Sequence, residues 1–248
     1  MQTQTLITAA TSGIGAGIAR RILTLSSESD HVFVNYGHRT EQAEAFRDSI
    51  EPLLQSRLSL IQADLSSYEG MMRLVDVVKK QSSQETFLDE LILCAGISLK
   101  KAFSDYTFEE FNHVLEVNLS LPAFLVKELL PYMKEGGSIL FIGSYAGKQA
   151  YSSSLVYGVS KSAVHFLTRS LVKETEPKQI RVNAIAPGFI QTPWHQGRSQ
   201  ESFERINRKI ALHRFGQAEE IAEMAVSILR NGYMNGSVVD IHGGYDYF

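Results

Sequence analysis

The chain has 248 residues, 44% of them hydrophobic and 21% charged, a composition that excludes a disordered or collagen-like protein. The formal net charge of −3, with basic residues dispersed along the chain, argues against binding to nucleic acid or to an anionic membrane. The single cysteine, Cys94, excludes an intramolecular disulfide framework. No cluster of residues has metal-ligand spacing, so no metal site is expected.

The start of the chain carries no sign of export. Residues 1–5 lack the basic start and the long apolar stretch of a signal peptide. No uncharged apolar run approaches the ~18 residues that a membrane-spanning helix needs. We therefore expect a cytoplasmic protein that has no membrane partner.

Short apolar runs alternate with amphipathic helical stretches along the chain. Most of these runs are uninterrupted, which indicates strands covered on both faces, as in a parallel sheet. Seven strands are predicted: Thr5–Ala9, His31–Tyr36, Leu58–Ala63, Glu90–Cys94, Ser138–Ile142, Arg181–Ile185 and Ser237–Ile241.

Apolar residues recur at helical spacing between these strands. One stripe begins at Phe108 and runs on to Tyr132 with Pro122 inside it, where a bend or break is expected. The other stripes are Ile14, Ile18, Ile22 and Leu25, then Met71, Met72, Val75 and Val78, then Ala163, Phe166, Leu167, Ser170 and Leu171. Repeated βα units with right-handed crossovers predict an α/β fold. We expect a single doubly wound Rossmann-type domain over 1–248, with a mostly parallel seven-stranded sheet flanked by helices on both faces.

The first predicted strand runs into a glycine-rich turn at Gly13, Gly15 and Gly17, and a helix follows directly. Such glycines let the backbone approach a pyrophosphate, which the helix amino terminus attracts. The end of the second strand, where the nucleotide's sugar is expected, offers no acidic residue for a ribose 2′-hydroxyl. His38 and Arg39 lie there instead and suit a 2′-phosphate, which favours NADP(H) over NAD(H).

Tyr157 and Lys161 are four residues apart and share one helix face, and Ser144 ends the preceding apolar run. A phenol loses its proton near pH ~10, and a nearby ammonium lowers that pKa. Such a trio could pass a proton at neutral pH while the serine holds a carbonyl oxygen. By itself, the pair also fits a tyrosine that caps the core beside a solvated lysine.

Together, these segments resemble the short-chain dehydrogenase/reductase family over essentially the whole chain. Asn118, Ser144, Tyr157 and Lys161 match the catalytic tetrad of that family. The resemblance implies cofactor contacts at Thr8, Ser12, Gly13, Ile14, Gly15, His38, Arg39, Asp64, Leu65, Ala95, Gly96, Tyr157, Lys161, Pro187, Gly188, Ile190 and Thr192.

The resemblance also supports a hypothesis for the roles of these side chains. Ser144 would polarise the substrate carbonyl, and Tyr157 would give or take the proton. Lys161 would lower the tyrosine pKa and hold the nicotinamide ribose. Asn118 would anchor a water that links Lys161 to solvent, and Thr192 would contact the cofactor carboxamide.

Two residues depart from the family pattern. Ala9 stands where the first glycine of the turn is usual, and its methyl group could crowd the turn or require a different backbone angle. Cys94 replaces an asparagine that is expected to tie neighbouring strands together. Neither change removes a catalytic group, although both could weaken cofactor affinity or stability.

The final stretch, from Arg214–Gly216 to His242–Gly244, resembles the 3-oxoacyl-[acyl-carrier-protein] reductase group of bacteria. The leading function is NADP(H)-dependent reduction of a 3-oxoacyl thioester in fatty acid biosynthesis. An alcohol, sugar or steroid-type dehydrogenase is a second interpretation. A nucleotide-binding regulatory or assembly subunit with little activity is a third.

Residues 189–212, with Trp194, His195 and Phe203, are expected to form a lid over a small or medium-sized carbonyl substrate. An acidic acyl carrier protein would need a basic docking surface, and the sequence near Lys134 is not strongly basic. The lid cations could supply that charge or form a solvated helix face. They are Arg198, Arg205, Arg208 and Lys209. His195 and His213 are expected to be structural.

The resemblance implies a homodimer or homotetramer. Pairing would use the helices that carry Asn118 and Tyr157, and a tetramer would add the last strand. The carboxy-terminal segment 243–248 holds three aromatic residues. We expect them to be buried at a subunit interface or to fold back onto the lid.

Overall fold

Seven strands form one fully parallel sheet in the computed structural model, which describes residues 3–25, 27–81, 87–150 and 154–247. These are β1 (Gln4–Ile7), β2 (His31–Tyr36), β3 (Leu58–Gln62), β4 (Leu88–Leu93), β5 (Met133–Ile142), β6 (Arg181–Pro187) and, after two short strands, β9 (Val238–Ile241). Their order is β3-β2-β1-β4-β5-β6-β9. The predicted doubly wound Rossmann-type sheet is confirmed. The short strands β7 (Ile190–Gln191) and β8 (Gly216–Gln217) pair separately.

The helices fill the connections between the strands. They are α1 (Gly13–Leu25), α2 (Thr40–Asp48), α3 (Pro52–Gln55), α4 (Tyr68–Gln81), α5 (Phe108–Leu115), α6 (Leu121–Leu129), α7 (Leu155–Thr175), α8 (Gln200–Asn207) and α9 (Ala218–Arg230). None of the helices in the described ranges is both long and apolar enough to cross a membrane.

Helices cover both faces of the sheet. Neighbouring residues of a strand point to opposite faces, so both are buried. In β4, Leu91 and Leu93 belong to the apolar cluster under α4, α6 and α7, whereas Ile92 belongs to the cluster under α1 and α9. This explains why the strands are uninterrupted apolar runs in the sequence.

Helices α1 and α9 cross closely on one face of the sheet. A Cβ atom at Gly17 would lie 3.1 Å from the carbonyl oxygen of Ala218 at the start of α9. This spacing is tighter than ordinary van der Waals contact, so a glycine lets the two helices approach. The third glycine of the turn therefore serves helix packing.

Some helix and strand boundaries differ from the predicted ones, because local backbone geometry overrides the apolar pattern there. Strand β1 ends at Ile7 because Thr8 and Ala9 belong to the following turn. The stripe from Phe108 is interrupted by a π-helical turn at Glu116–Ser120, just ahead of Pro122. The break therefore precedes the proline instead of falling on it.

The carboxy-terminal segment folds back onto the predicted lid. The Tyr245 ring lies 5.3 Å from that of Phe189 and packs against a small apolar cluster of Ile206, Ile210 and Phe215. Tyr247 is largely exposed, and Phe248 lies outside the described residues.

Ala9 adopts a left-handed backbone conformation, with φ of 49°. Its N–H donates to Oδ1 of Asn35, a buried residue of β2 whose Nδ2 donates to the carbonyl oxygen of Ala63. These hydrogen bonds hold the turn in a conformation that costs an L-residue roughly 1–2 kcal/mol. Alanine thus occupies this position in a left-handed conformation, at the expense of strain.

We predict that Ala9→Gly raises the free energy of unfolding by about 1 kcal/mol, because glycine removes this strain. Denaturant titration would measure the change. The matched control is Ala10→Gly, at a buried position where φ is not positive. It should lower the free energy of unfolding by about 1 kcal/mol. A loss of stability in Ala9→Gly would show that the turn carries no strain.

Candidate active site

The carboxyl ends of the strands open into a cleft of about 670 Å³. Its wall contains most of the side chains and turns predicted from the sequence, namely Ser12, Gly13, Ile14, Gly15, Gly96, Ser144, Tyr157, Lys161, Pro187, Gly188, Ile190 and Thr192. Other predicted residues lie behind the wall or beyond its end, namely Thr8, His38, Arg39, Asp64, Leu65, Ala95 and Asn118. The fold thus brings the glycine-rich turn and three of the four catalytic candidates into one cavity.

The glycine-rich turn forms a backbone cradle at the start of α1. Gly13 has φ of 55°, and a Cβ atom at Gly15 would lie 2.8 Å from Cα of Ala10. No acidic residue occupies the first turn of α1. The open N–H groups there suit a pyrophosphate, so these residues fit a dinucleotide. Thr192 lies beside Gly13, within van der Waals reach of a Cβ placed there.

Thr8 ties two strands together beneath this cradle. Its buried Oγ1 accepts hydrogen bonds from the backbone N–H groups of Cys94 (2.9 Å) and Ala95 (3.1 Å). Thr8 therefore links the end of β1 to the end of β4, a connection that the Cys94 thiol cannot provide. Burial raises the pKa of Cys94 to about 12, so its side chain is a neutral thiol at the cleft floor.

Ser144 lies at the carboxyl end of β5, where it caps a 3₁₀ turn. Its Oγ accepts from the N–H of Ala146 at 3.1 Å, which leaves the hydroxyl hydrogen free to donate. Burial raises the pKa of Tyr157, and a hydrogen bond with Ser144 offsets only part of this increase. The serine and the tyrosine therefore meet in the cleft, as predicted.

The electrostatics differ from the sequence-based expectation, in which Lys161 lowers the tyrosine pKa. Nζ of Lys161 donates to the carbonyl oxygen of Ile142 at 2.8 Å and lies 5.8 Å from the centre of the Tyr157 ring. Burial lowers the pKa of Lys161 to about 8 against an opposing effect of Cys94. The pKa of Tyr157 is raised because its burial dominates.

Asn118 clamps the loop after β4 to helix α7. Its Oδ1 accepts from the N–H of Ile97 at 2.8 Å, and its Nδ2 donates to the Ile97 carbonyl oxygen and to Oγ of Ser160, each at 2.9 Å. Ser160 Oγ in turn donates to the carbonyl oxygen of Tyr157. The buried amide thus positions the helix turn that carries the tyrosine.

His165 is a site residue that the sequence reasoning missed. It follows Tyr157 and Lys161 on the same face of α7, and its Nε2 accepts from the N–H of Ser144 at 3.4 Å. Burial, followed by the charges of Lys148 and Lys161, lowers the pKa of His165 to about 4. The neutral ring therefore accepts the hydrogen bond from the Ser144 backbone and helps to hold this residue in place. The recurrence of polar residues at four-residue intervals was the signal available in the sequence.

The ends of β2 and β3 carry the residues predicted for the adenosine half of the nucleotide. His38 Nε2 lies 2.9 Å from Oδ2 of Asp64. Burial raises the pKa of Asp64, but hydrogen bonds from Ser66 and from His38 outweigh it and lower the pKa below its usual value. Arg39 is exposed and has no side-chain partner within the described part of the chain. Leu65 packs against the core.

The segment predicted as a lid extends over Tyr157. It contains β7, a 3₁₀ turn and α8. The Trp194 ring lies 5.8 Å from that of Tyr157, and His195 lies 5.8 Å from Phe189. His213 interacts with the Asn207 carbonyl oxygen at 3.3 Å. Among the described residues, no three His, Cys, Asp or Glu side chains lie together in a way that could hold a metal ion.

The whole chain is similar to known proteins in sequence and in fold. A family model described as enoyl-(acyl carrier protein) reductase matches residues 8–246. The rhamnolipids biosynthesis 3-oxoacyl-[acyl-carrier-protein] reductase of Pseudomonas aeruginosa is 32% identical, over 97% of this chain and 94% of that protein. A 3-oxoacyl-[acyl-carrier-protein] reductase of Staphylococcus aureus is 30% identical, over 98% of each chain. A crystal structure of BdcA in complex with NADPH has a TM-score of 0.83 at 26% identity, covering 98% of this chain and 93% of that one.

The lowered pKa of Lys161 predicts a pH-dependent contribution to stability. The unfolded chain binds the proton up to about pH 10.5 and the folded chain only up to about pH 8. Burial of this lysine therefore costs about 3 kcal/mol below pH 8, and the cost disappears as the pH rises through 10.5. Lys161→Met should raise the free energy of unfolding at pH 7 by about 2 kcal/mol, since the hydrogen bond to Ile142 is also lost.

Denaturant titrations at pH 7 and at pH 10.5 would test this. The gain from Lys161→Met should shrink to zero or reverse at the higher pH. The control is Lys173→Met, on the exposed side of the same helix, which should change stability little at either pH. An equal gain from Lys161→Met at both values would contradict the assignment.

Proposed function

Since the chain belongs to the short-chain dehydrogenase/reductase family, we propose that this oxidoreductase reduces a substrate carbonyl to a hydroxyl with NADP(H). The observation that carries the proposal is the convergence of Ser144, Tyr157 and Lys161 on the cleft that the glycine-rich turn also lines. Such a cleft places a proton donor and a carbonyl-binding hydroxyl beside a dinucleotide cradle.

The residues of the turn, with Thr192 and Lys161, would hold the cofactor, and the bound nicotinamide would supply a hydride. Ser144 Oγ would donate to the substrate carbonyl oxygen, which draws electron density away from the carbonyl carbon. Tyr157 would then transfer its phenolic proton to that oxygen. The phenol is protonated at neutral pH, since burial raises its pKa, and it therefore has a proton to give.

Lys161 and Asn118 would act behind the tyrosine. With a pKa of about 8, Lys161 is mainly an ammonium ion at neutral pH, and it would hold the nicotinamide ribose. Asn118 Oδ1 has a second lone pair, which could accept a hydrogen bond from a water that returns a proton. Its three observed hydrogen bonds support an additional positioning role.

Tyr157→Phe should lower kcat by roughly 1,000-fold while leaving the Kd for NADPH nearly unchanged, since only the proton donor is removed. NADPH oxidation and fluorescence titration of the nucleotide would measure the two effects. The control is Tyr233→Phe, at a 98% exposed position, which should retain full activity. A Tyr157→Phe enzyme with a near-normal rate would contradict the assigned role.

The preference for NADP(H) is supported by the exposed guanidinium of Arg39, which is free to meet a 2′-phosphate. His38 is already paired with Asp64. Arg39→Gln should weaken NADPH binding by about 10-fold and leave NADH binding unchanged. The control is Arg47→Gln on α2, the helix that follows Arg39, where the arginine contacts Asp48. Wild-type protein that uses NADH alone would overturn the preference.

A 3-oxoacyl thioester remains the leading substrate and fatty acid biosynthesis the leading pathway, because both curated relatives described above are named 3-oxoacyl-[acyl-carrier-protein] reductases. An acyl carrier protein would then be a partner. Alcohol, sugar or steroid-type dehydrogenation is the alternative within the same chemistry. NADPH consumption with 3-oxoacyl thioesters, diketones, quinones and sugars separates these substrates. Failure to bind NADPH would favour the regulatory or assembly role.

We also propose that 1–248 is a single domain with 189–212 as its lid, because both core clusters join residues from β1 to the last strand. The oligomer would pair through α5 and α7, which pack against each other and leave large apolar side chains exposed. These are Phe108, Leu155, Val159 and Phe166. A second copy of the chain would cover this face.

Sedimentation analysis should show a wild-type dimer or tetramer. Combined Phe108→Glu and Phe166→Glu substitutions should shift the protein to monomers, because they put charges into an apolar interface. Leu53→Glu, at an exposed position on α3, is the control and should leave the assembly intact. A monomeric wild type would contradict the proposed pairing.

A further inference from the structure

The lid end of the cleft is strongly cationic. Lys100, from the loop after β4, lines the same cavity as Ser144 and Tyr157, together with the lid residues Arg198, Arg205 and Lys209. None of the described residues that line the cavity carries a carboxylate. Arg208, the remaining cation of the predicted lid set, does not line it. Three of the four predicted lid cations therefore border the cleft, although Arg205 and Lys209 are also exposed to solvent.

These four cations lack counterions. None of them forms a salt bridge with an acidic side chain in the part of the chain that the structure describes. Arg198 is the least exposed of the four, and its Nε is buried without a hydrogen-bond partner among the described residues. Its Nη1 donates to Ser202 at 2.9 Å, and its Nη2 lies 3.4 Å from Nδ1 of His195. An unsatisfied charged donor is costly, and an anionic ligand bound beside these unpaired cations would offset their charge.

The cations also act on one another and on the histidine between them. Burial, and then the charge of Arg205, lowers the pKa of Arg198. Burial, followed by the charges of Arg198 and Lys100, lowers the pKa of His195 to about 4, so the histidine stays neutral. Lys100 therefore lies close enough to the lid cations to share their field. Repulsion between like charges would be relieved by an anion bound among them.

The apolar part of the lid lies between the cations and the catalytic tyrosine. The Trp194 ring lies 5.8 Å from the Tyr157 ring, and the Arg198 guanidinium lies 5.8 Å from the centre of the Phe189 ring. A ligand that reaches from Tyr157 to Arg198 therefore passes aromatic side chains. Its expected form is a carbonyl at one end, a short apolar segment and an anionic group at the other end.

We propose that Lys100, Arg198, Arg205 and Lys209 bind a carboxylate or phosphate group of the same molecule whose carbonyl is held by Ser144 and Tyr157. The proposal rests on the proposed reductase function and specifies its substrate class as an anionic carbonyl compound. A free oxo acid and a phosphopantetheine-linked thioester are two sources of the same chemistry. In both, the anionic group would accept charge-assisted hydrogen bonds from these cations.

Two matched pairs of probes distinguish the two sources of the anionic group. They also separate the effect of the charge from the effect of the carbonyl. The first pair is acetoacetate and its neutral analogue 2,4-pentanedione. The second pair is acetoacetyl-pantetheine 4′-phosphate and acetoacetyl-pantetheine. In at least one pair, kcat/KM with NADPH should be about 10-fold or more higher for the anionic member. Equal use of both members in both pairs would overturn the proposal, and the preferred pair identifies the source.

Arg198→Gln and Lys209→Gln should each remove most of this preference, chiefly by raising KM for the anionic member. The matched control is Arg208→Gln on the same segment, which should keep the preference. Persistence of the preference in both Arg198→Gln and Lys209→Gln would contradict the assignment.

A binding measurement separates failure of this proposal from failure of the reductase function. Calorimetric titration of Tyr157→Phe with the four probes, in the presence of NADPH, should show tighter binding of the anionic members. Arg198→Gln added to that background should abolish the difference. If binding shows this pattern although no probe is reduced, the anion site stands and the reductase function falls. If no charge preference in binding is found, the anion site falls whatever the activity.

Discussion

Burial of the Lys161 ammonium is the constraint on which the rest of the site depends. The side chain is only 5% exposed and forms no salt bridge with the described residues, and its Nζ donates to the Ile142 carbonyl oxygen at the end of β5. That hydrogen bond fixes the register of α7 against the carboxyl end of the strand. A Cβ atom at Gly96 would lie 3.5 Å from Nζ and 3.1 Å from Asn118 Oδ1, so a glycine there leaves room for both groups. The loop after β4 can then close over the lysine.

His165, on the same helix, also holds α7 in place through its contact with the backbone N–H of Ser144. A Cβ atom at Gly143 would lie 2.3 Å from Nε2 of His165, and one at Gly147 would lie 3.0 Å from its Cε1. Because these glycines have no side chain, the imidazole can pack directly under the backbone of Ser144. Asn118 holds the opposite side through Ser160. The relative positions of serine, tyrosine and lysine thus follow from close backbone packing, and the lid adds Trp194 above the tyrosine.

Much of the fold could be predicted from the sequence, because a doubly covered parallel strand is a continuous apolar run and βα crossovers have one hand. The Tyr157–Lys161 pair could be found because its spacing is local. The direction of the Tyr157 pKa could not, since it depends on burial by the lid and on the distance to an ammonium that turns toward Ile142. The strand-tying role of Thr8 depends on tertiary contacts, as does the placement of Lys100 on the cleft wall. The left-handed conformation of Ala9 could not be predicted either, because it depends on the hydrogen bond from its N–H to Asn35.

In the proposed reaction, NADPH bound in the cleft gives a hydride to the substrate carbonyl while Tyr157 supplies the proton. The most direct measurement uses NADPH carrying deuterium at the transferable C4 position and a substrate found to be reduced in the assay panel. We predict a product with deuterium on the new carbinol carbon and a hydroxyl proton drawn from solvent. A protein that binds NADPH but reduces none of the carbonyl compounds, or a product without deuterium at that carbon, would contradict the account.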